Sequence, residues 1–220
     1  MKKFLCSVLC LAVFSAGCSH PLTLSNLDCY KAGFLNSTSK KITAGIIAVT
    51  NSPEEERLVT AAVNALKRDG VAIIYPFYSN EESLKKVDYI VKIATTSEFR
   101  GSGINFLINW PGFLIFAPAL FGYSYTAAFN FDVDITDVRR NSTLPRIAIP
   151  LELKFKHAEM NRTWTEISWL EVSVIAFIGG ICFTQYDKSV TPTLMNTVEY
   201  KVGDYVESKI LGAVISSFGE

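Results

Sequence analysis

The chain has 220 residues, with 21 basic and 21 acidic side chains and a hydrophobic content of 49%. The even charge excludes a basic field that would attract nucleic acid, and the length is enough to bury a real core without staples. With only two histidines, His20 in a polar N-terminal stretch and His157 at the end of a polar strand edge next to Lys156, zinc and Ser-His-Asp chemistry have little to draw on.

The first residues run in the order of an export signal. Lys2 and Lys3 are followed by an uncharged apolar run at 4–14, then by the small residues Ser15, Ala16 and Gly17, which suit a peptidase cleft. The run is too short for a spanning helix, which takes about 20 residues. Ser15-Ala16-Gly17-Cys18 resembles a bacterial lipobox, with Ser15 where leucine is commoner. The resemblance implies cleavage before Cys18 and acyl chains on that cysteine. Two or three chains hold a protein lastingly, at about 0.8 kcal/mol per buried CH₂. Ser19 follows where inner-membrane retention usually shows Asp, so the resemblance implies an outer-membrane protein with its body in the periplasm. The alternative is an ordinary secretory signal cut nearby. Five cysteines occur. Cys6 and Cys10 leave with the signal and Cys18 is acylated, which leaves Cys29 and Cys182. In an oxidising periplasm these form a disulfide, or they are two separate buried thiols.

Residues 1–17 thus read as a signal peptide and 18–41 as a lipidated N-terminus and tether, whose Leu22, Leu24, Leu27, Tyr30, Phe34 and Leu35 are able to dock it. A single α/β domain follows at 42–220. Residues 42–49 are short, apolar and β-branched, as a buried strand requires. Ser52-Pro53-Glu54-Glu55 opens a helix by capping box, and Leu58, Val59, Ala62, Val63, Ala65 and Leu66 supply its apolar stripe up to Gly70. A strand is expected at 71–77, a short polar helical segment at 81–86 and a strand at 88–95. Residues 123–137 and 147–155 alternate apolar and polar across a turn at 139–142, which predicts an antiparallel hairpin with one wet face. A strand near 163–174 and a final helix from Thr191 or Thr193 to about Ser216 complete the order; in the helix Met195, Val198, Val202, Tyr205, Val206, Ile210 and Leu211 fall close to a helical stripe, and Gly203 and Gly212 count against it. The fold class is two-layer α/β (α+β), a mixed, largely antiparallel sheet with two main helices on one face.

Two apolar runs stand outside this pattern. Residues 104–122 carry no charge, and Pro111-Gly112 and Pro118 argue against helix and strand alike. Phe106, Trp110, Phe113, Phe116 and Phe121 are the candidate apolar contact residues. The second run, 172–183, has Gly179-Gly180 at its middle. Both runs are core, or an exposed surface for lipid or protein contact, or the lining of a pocket.

The lipobox, the β-α-β start at Ser52-Pro53-Glu54-Glu55, the Val-Asp-Tyr-Ile-Val strand at 87–91, the alternating hairpin and the terminal helix together resemble periplasmic lipoproteins of the curli-secretion-channel and penicillin-binding-protein-activator type. Residues 105–125 are similar to a stretch of bacterial envelope lipoproteins. The resemblance covers about two thirds of the chain in element order and carries no catalytic or channel residue to a position here; fold analogy does not deliver function.

No nucleophile elbow, zincin motif or phosphate loop occurs. Asp132, Asp134 and Asp137 are weighed as calcium ligands against the reading of a solvated strand face. The expected function is a non-enzymatic, membrane-anchored envelope lipoprotein, without cofactor or metal, that binds an envelope protein or copies of itself. The alternative is a tethered carrier of a lipid or apolar ligand.

Overall fold

The computed structural model describes residues 19–33, 42–110, 117–159, 178, 181–182 and 184–217. The export signal, Cys18, Phe113, Phe116 and the strand expected near 163–174 lie outside the described residues. In chain order the elements are β1 (His20–Leu24), β2 (Thr43–Val49), α1 (Pro53–Arg68), β3 (Ala72–Ile74), α2 (Glu81–Leu84), β4 (Tyr89–Gly101), α3 (Ile104–Asn109), α4 (Ala117–Phe121), β5 (Tyr123–Asp137), β6 (Ser142–Thr143), β7 (Ile147–Ala158) and α5 (Thr191–Ser216). Among the described residues the strands form one seven-stranded sheet in the order β1-β7-β5-β4-β2-β3, with β6 on β5. The pairs β2–β3 and β2–β4 are parallel, and β1–β7 and β5–β6 are antiparallel. The mixed, mostly antiparallel α/β architecture is the one expected.

The chain forms two compact units. One comprises Met1–Ser25, Phe99–Thr126 and Lys154–Thr191, the other Asn26–Glu98, Ala127–Leu153 and Pro192–Glu220. Strands β4, β5 and β7 contribute residues to both.

In the second unit α1 forms where the capping signal stands. Ser52 Oγ accepts from the Glu55 amide at 3.3 Å, and Pro53 takes the first helical position, where a missing N–H costs nothing. The Glu55 carboxylate accepts from the Asn51 amide at 2.6 Å and, through its other oxygen, from the amide and hydroxyl of Ser97 at 2.9 Å each. One buried acid therefore caps the helix and ties it to β4. Leu58, Val59, Ala62, Val63, Ala65 and Leu66 are buried, as are Leu194, Met195, Val198, Val202, Val206 and Ile210 of α5. The two helices lie side by side. A Cβ at Gly203 would fall 2.7 Å from the backbone of Ala61, and Arg57–Glu199 (2.7 Å) and Arg68–Asp204 (2.6 Å) bridge the flanks. The predicted alternation of β5 holds: Ala127, Phe129, Phe131, Val133 and Ile135 are buried in this unit. At its end the Asp137 carboxylate accepts from the amides of Arg139 and Arg140, and Asn141 turns the chain with φ 49°. The stretch expected as a tether contains β1 and, in this unit, buried Leu27 and half-buried Tyr30. The Tyr30 hydroxyl accepts from the Glu152 amide at 2.9 Å and donates to its carbonyl at 3.2 Å.

In the first unit β1 pairs with the end of β7, His20 opposite Ala158 and Leu24 opposite Phe155. Tyr186 stacks on Phe99 with centroids 4.8 Å apart and meets Tyr125 edge-on at 5.5 Å. Gly101 lets the backbone of 184–185 pass against β4, where a side chain would collide.

Three local expectations change. The strand expected at 71–77 is cut to Ala72–Ile74, just before Pro76, a residue that cannot donate to a ladder. The described residues of 104–122 include two short helices, and Pro118 is tolerated because it sits in the first turn of α4, where its missing N–H has no partner to lose. His157, expected at a polar strand edge, is buried, because it continues the inward face of Leu153 and Phe155 at a period of two.

The two glycines of α5 provide a matched test of the helix pair. Alanine gains about 1 kcal/mol over glycine inside a helix, but overpacking against a backbone costs about 1 to 3 kcal/mol. Nothing lies within 4 Å of a Cβ at Gly212. In chemical denaturation Gly212→Ala is therefore expected to raise stability and Gly203→Ala to lower it.

Candidate functional site

Helix α3 has its polarity inverted relative to an ordinary surface helix. Asn105 and Asn109, one turn apart, are fully buried, while Ile104 and Leu107 on the other side are 54% and 61% exposed. A buried amide is costly unless its hydrogen bonds are met, and here they are. Asn105 Nδ2 donates to the Ser124 carbonyl at 2.9 Å, and the Ser124 amide donates to Asn105 Oδ1 at 2.7 Å. The Tyr123 hydroxyl donates to Asn109 Oδ1 at 2.8 Å. The Ser102 amide adds a bond to the same Ser124 carbonyl at 3.1 Å. The start of β5 thus selects the asparagine face of α3, and the isoleucine and leucine are left outside.

Helix α4 continues the surface. Ala117 and Pro118 are buried, Leu120 is 66% exposed and Phe121 54% exposed. The helix is closed by the Gly122 amide, which donates to the Pro118 carbonyl at 2.9 Å. Gly122 has φ +66°, and a Cβ there would fall 2.9 Å from the His20 ring and 3.2 Å from Lys156 Cβ. Only glycine meets both demands cheaply. Helix α4 is packed against both α3 and β1.

Of the five aromatic residues singled out from the sequence, Phe121 is exposed, Phe106 and Trp110 are half-buried, and Phe113 and Phe116 lie outside the described residues. Ile104, Leu107 and Leu120 were not singled out, because a search for aromatic anchors passes over aliphatic residues. The usable signal was the pair Asn105 and Asn109 at i, i+4 within an otherwise apolar run. In the second run Ile178 and Ile181 are also exposed.

Other groups were candidates for chemistry. Asp132 and Asp134 face Arg146, at 2.9 Å and 3.8 Å, so a cation of the protein's own answers them. Among the described residues no His, Cys, Asp and Glu cluster fits a metal ion. Cys29 and Cys182 carry free, exposed thiols. His157 Nε2 lies 3.6 Å from Glu159. A groove of about 480 Å³ beside α1 is lined by Glu56, Arg57, Arg68 and Glu199 among others; Arg57 pairs with Glu199 and Arg68 with Asp204. Glu207, on the buried side of α5, is pushed up to about 7 by burial and by the nearby carboxylates of Asp69 and Asp204, against the pull of Arg68. No nucleophile stands beside it in these contacts.

No protein-family model matches the chain, and no curated protein matches it. Among solved structures it is similar to the PelC dodecamer from Paraburkholderia phytofirmans, at 11% identity over 86% of this chain and 97% of that one, with a TM-score of 0.29. It is similar also to a minor lipoprotein from Acinetobacter baumannii, at 11% identity over 71% of this chain and 91% of that one, TM-score 0.31. A third is rare lipoprotein B from Shewanella oneidensis, at 11% identity over 70% of this chain and 97% of that one, TM-score 0.32. Two of the three carry the word lipoprotein in their names. A likeness this distant carries no argument about activity or partners.

Two measurements check this account. Asn105→Ala should cost about 2 kcal/mol in chemical denaturation, because it strips partners from a half-buried amide and carbonyl, whereas Leu107→Ser should stay within about 0.5 kcal/mol, as a surface change does. If α3 were ordinary core, the order would reverse. For Glu207, the folded-state value lies above the ordinary 4.5, so the folded state favours the protonated acid. Its contribution to stability is present at pH 4.5 and below and is lost as pH rises to about 7. The melting temperature of Glu207→Gln minus that of the wild type should therefore widen between pH 5 and pH 8.

Proposed function

We propose that this chain is a non-catalytic lipoprotein of the bacterial envelope, cleaved before Cys18, acylated there, sorted to the periplasmic side of the outer membrane, and acting through contacts with envelope proteins or copies of itself. The observation that carries the reading is the order of Lys2-Lys3, the apolar run at 4–14, and Ser15-Ala16-Gly17-Cys18. The start of the fold supports it: β1 opens at His20, so Ser19 alone separates the acylated residue from a paired strand. Such a body stays at the membrane surface, and what it binds has to be reached there. Among the described residues no helix is long and apolar enough to cross a membrane; in this reading the acyl chains on Cys18 make the attachment. The exposed apolar side chains of α3 and α4 and the charged groove beside α1 supply surfaces for contact rather than a reaction centre.

The test is mass spectrometry of the N-terminal peptide after expression of the full chain in a bacterium. A peptide beginning at an acylated Cys18 is expected, and Cys18→Ser should leave the precursor uncleaved and unacylated. A peptide beginning elsewhere and without lipid would overturn the reading. Ser19→Asp is expected to move the protein from the outer to the inner membrane fraction.

A further inference from the structure

We propose that helices α3 and α4 form a lipid-contacting surface, in which Ile104, Leu107, Leu120 and Phe121 enter the same leaflet that holds the acyl chains of Cys18. This rests on the anchor reading above. The occupant follows from the place of Cys18 in the sequence. Cys18 is two residues from His20, so their Cα atoms are at most about 7 Å apart. The His20 ring packs against Gly122, and Gly122 directly follows Phe121 in the chain. An acyl chain on Cys18 brings the membrane surface to this point of the first unit, whatever else the protein touches.

The side chains that meet it there are apolar by construction. Leu120 and Phe121 are more than half exposed, as are Ile104 and Leu107 on the helix packed against α4. The polar side of α3, which would otherwise face water, is taken by the start of β5 through Asn105 and Asn109. Four exposed aliphatic and aromatic side chains beside a lipid anchor add buried apolar area to the acyl chains. Lys156, whose Cβ also borders Gly122, is exposed and able to lay its stem along such a surface with its ammonium among headgroups. Glu159, the nearest acid in sequence past the end of β7, is turned toward His157. Short helices of this kind lie in the interface and do not span it.

The experiment uses the acylated full-length protein with Cys29→Ser and Cys182→Ser, both at exposed positions, and a single new cysteine, Leu107→Cys or Phe121→Cys, carrying a polarity-sensitive fluorophore. The protein is reconstituted in vesicles of phosphatidylethanolamine and phosphatidylglycerol. The expected result is blue-shifted emission at both sites relative to the vesicle-free protein, with quenching by doxyl-labelled lipid and protection from aqueous iodide. Quenching by iodide and not by the labelled lipid overturns the proposal. Protection from both quenchers also overturns it, in favour of a protein or a second copy covering the helices. Failure of the anchor reading looks different: the N-terminal peptide then lacks lipid and the protein does not float with the vesicles. With acylation confirmed, the quenching pattern judges the surface alone.

Discussion

The paired hydrogen bonds between the Asn105 amide and the backbone of Ser124, at 2.9 Å and 2.7 Å, decide the character of the first unit's surface. A carboxamide held by both its donor and its acceptor to one residue's backbone behaves like one rung of a ladder, and swapping it for an apolar group strips the Ser124 amide of its acceptor and leaves the Ser124 carbonyl with the Ser102 amide. The asparagine side of α3 therefore cannot trade places with the leucine side. Once that face is chosen, Ile104 and Leu107 have nowhere to go but outward. The exposure of apolar residues is here a consequence of polar satisfaction, not a defect of packing.

The second unit relies on a comparable economy at Glu55. Its carboxylate reaches the Asn51 amide in the loop before α1 and the Ser97 amide and hydroxyl in β4, so helix start and sheet are fixed by one charge. On the far side of α1 the constraint is steric. Gly203 lies where a methyl group would strike the backbone of Ala61, and the close approach lets two arginine bridges span the helix pair. Those bridges are part-exposed and contribute little by themselves. The buried rows of Leu58, Leu66, Val198 and Val206 carry the pair, and the bridges add register.

Much of this fold was legible because its signals are local and periodic. The alternation of 123–137, the cap at Ser52 and the stripe of α5 each name a face directly, and the structure keeps those faces. Gly203 reads from the sequence as a weak point of its helix, since propensity alone counts against glycine; the neighbour that makes it necessary is 142 residues away in the chain, at Ala61. The apolar run at 104–122 was the hardest to read. Its prolines argue against helix by the general rule, yet Pro118 falls in a first turn, where the rule is suspended. Its polarity inversion depends on Tyr123 and Ser124, and no periodicity within the run reports on partners beyond it. His157 shows the reverse error, a residue judged by its lysine neighbour when the period-two register already placed it inward.

The position of β1 links these local facts to the envelope reading. A tether of twenty or so polar residues would let a folded body range tens of ångströms from its anchor, since a flexible chain's end-to-end distance grows as about 5 to 6 Å times the square root of its length. Here the strand begins at His20 and is paired at once with Ala158, so with Cys18 acylated that freedom is gone. A body held so close has its orientation limited as well as its height, because the same strand that follows the anchor also packs α4. The inverted polarity of α3 leaves Ile104 and Leu107 outward, and the glycine at 122 lets His20 and Lys156 close against the end of α4, so that in the proposed reading the exposed apolar side chains and the anchored strand stand side by side.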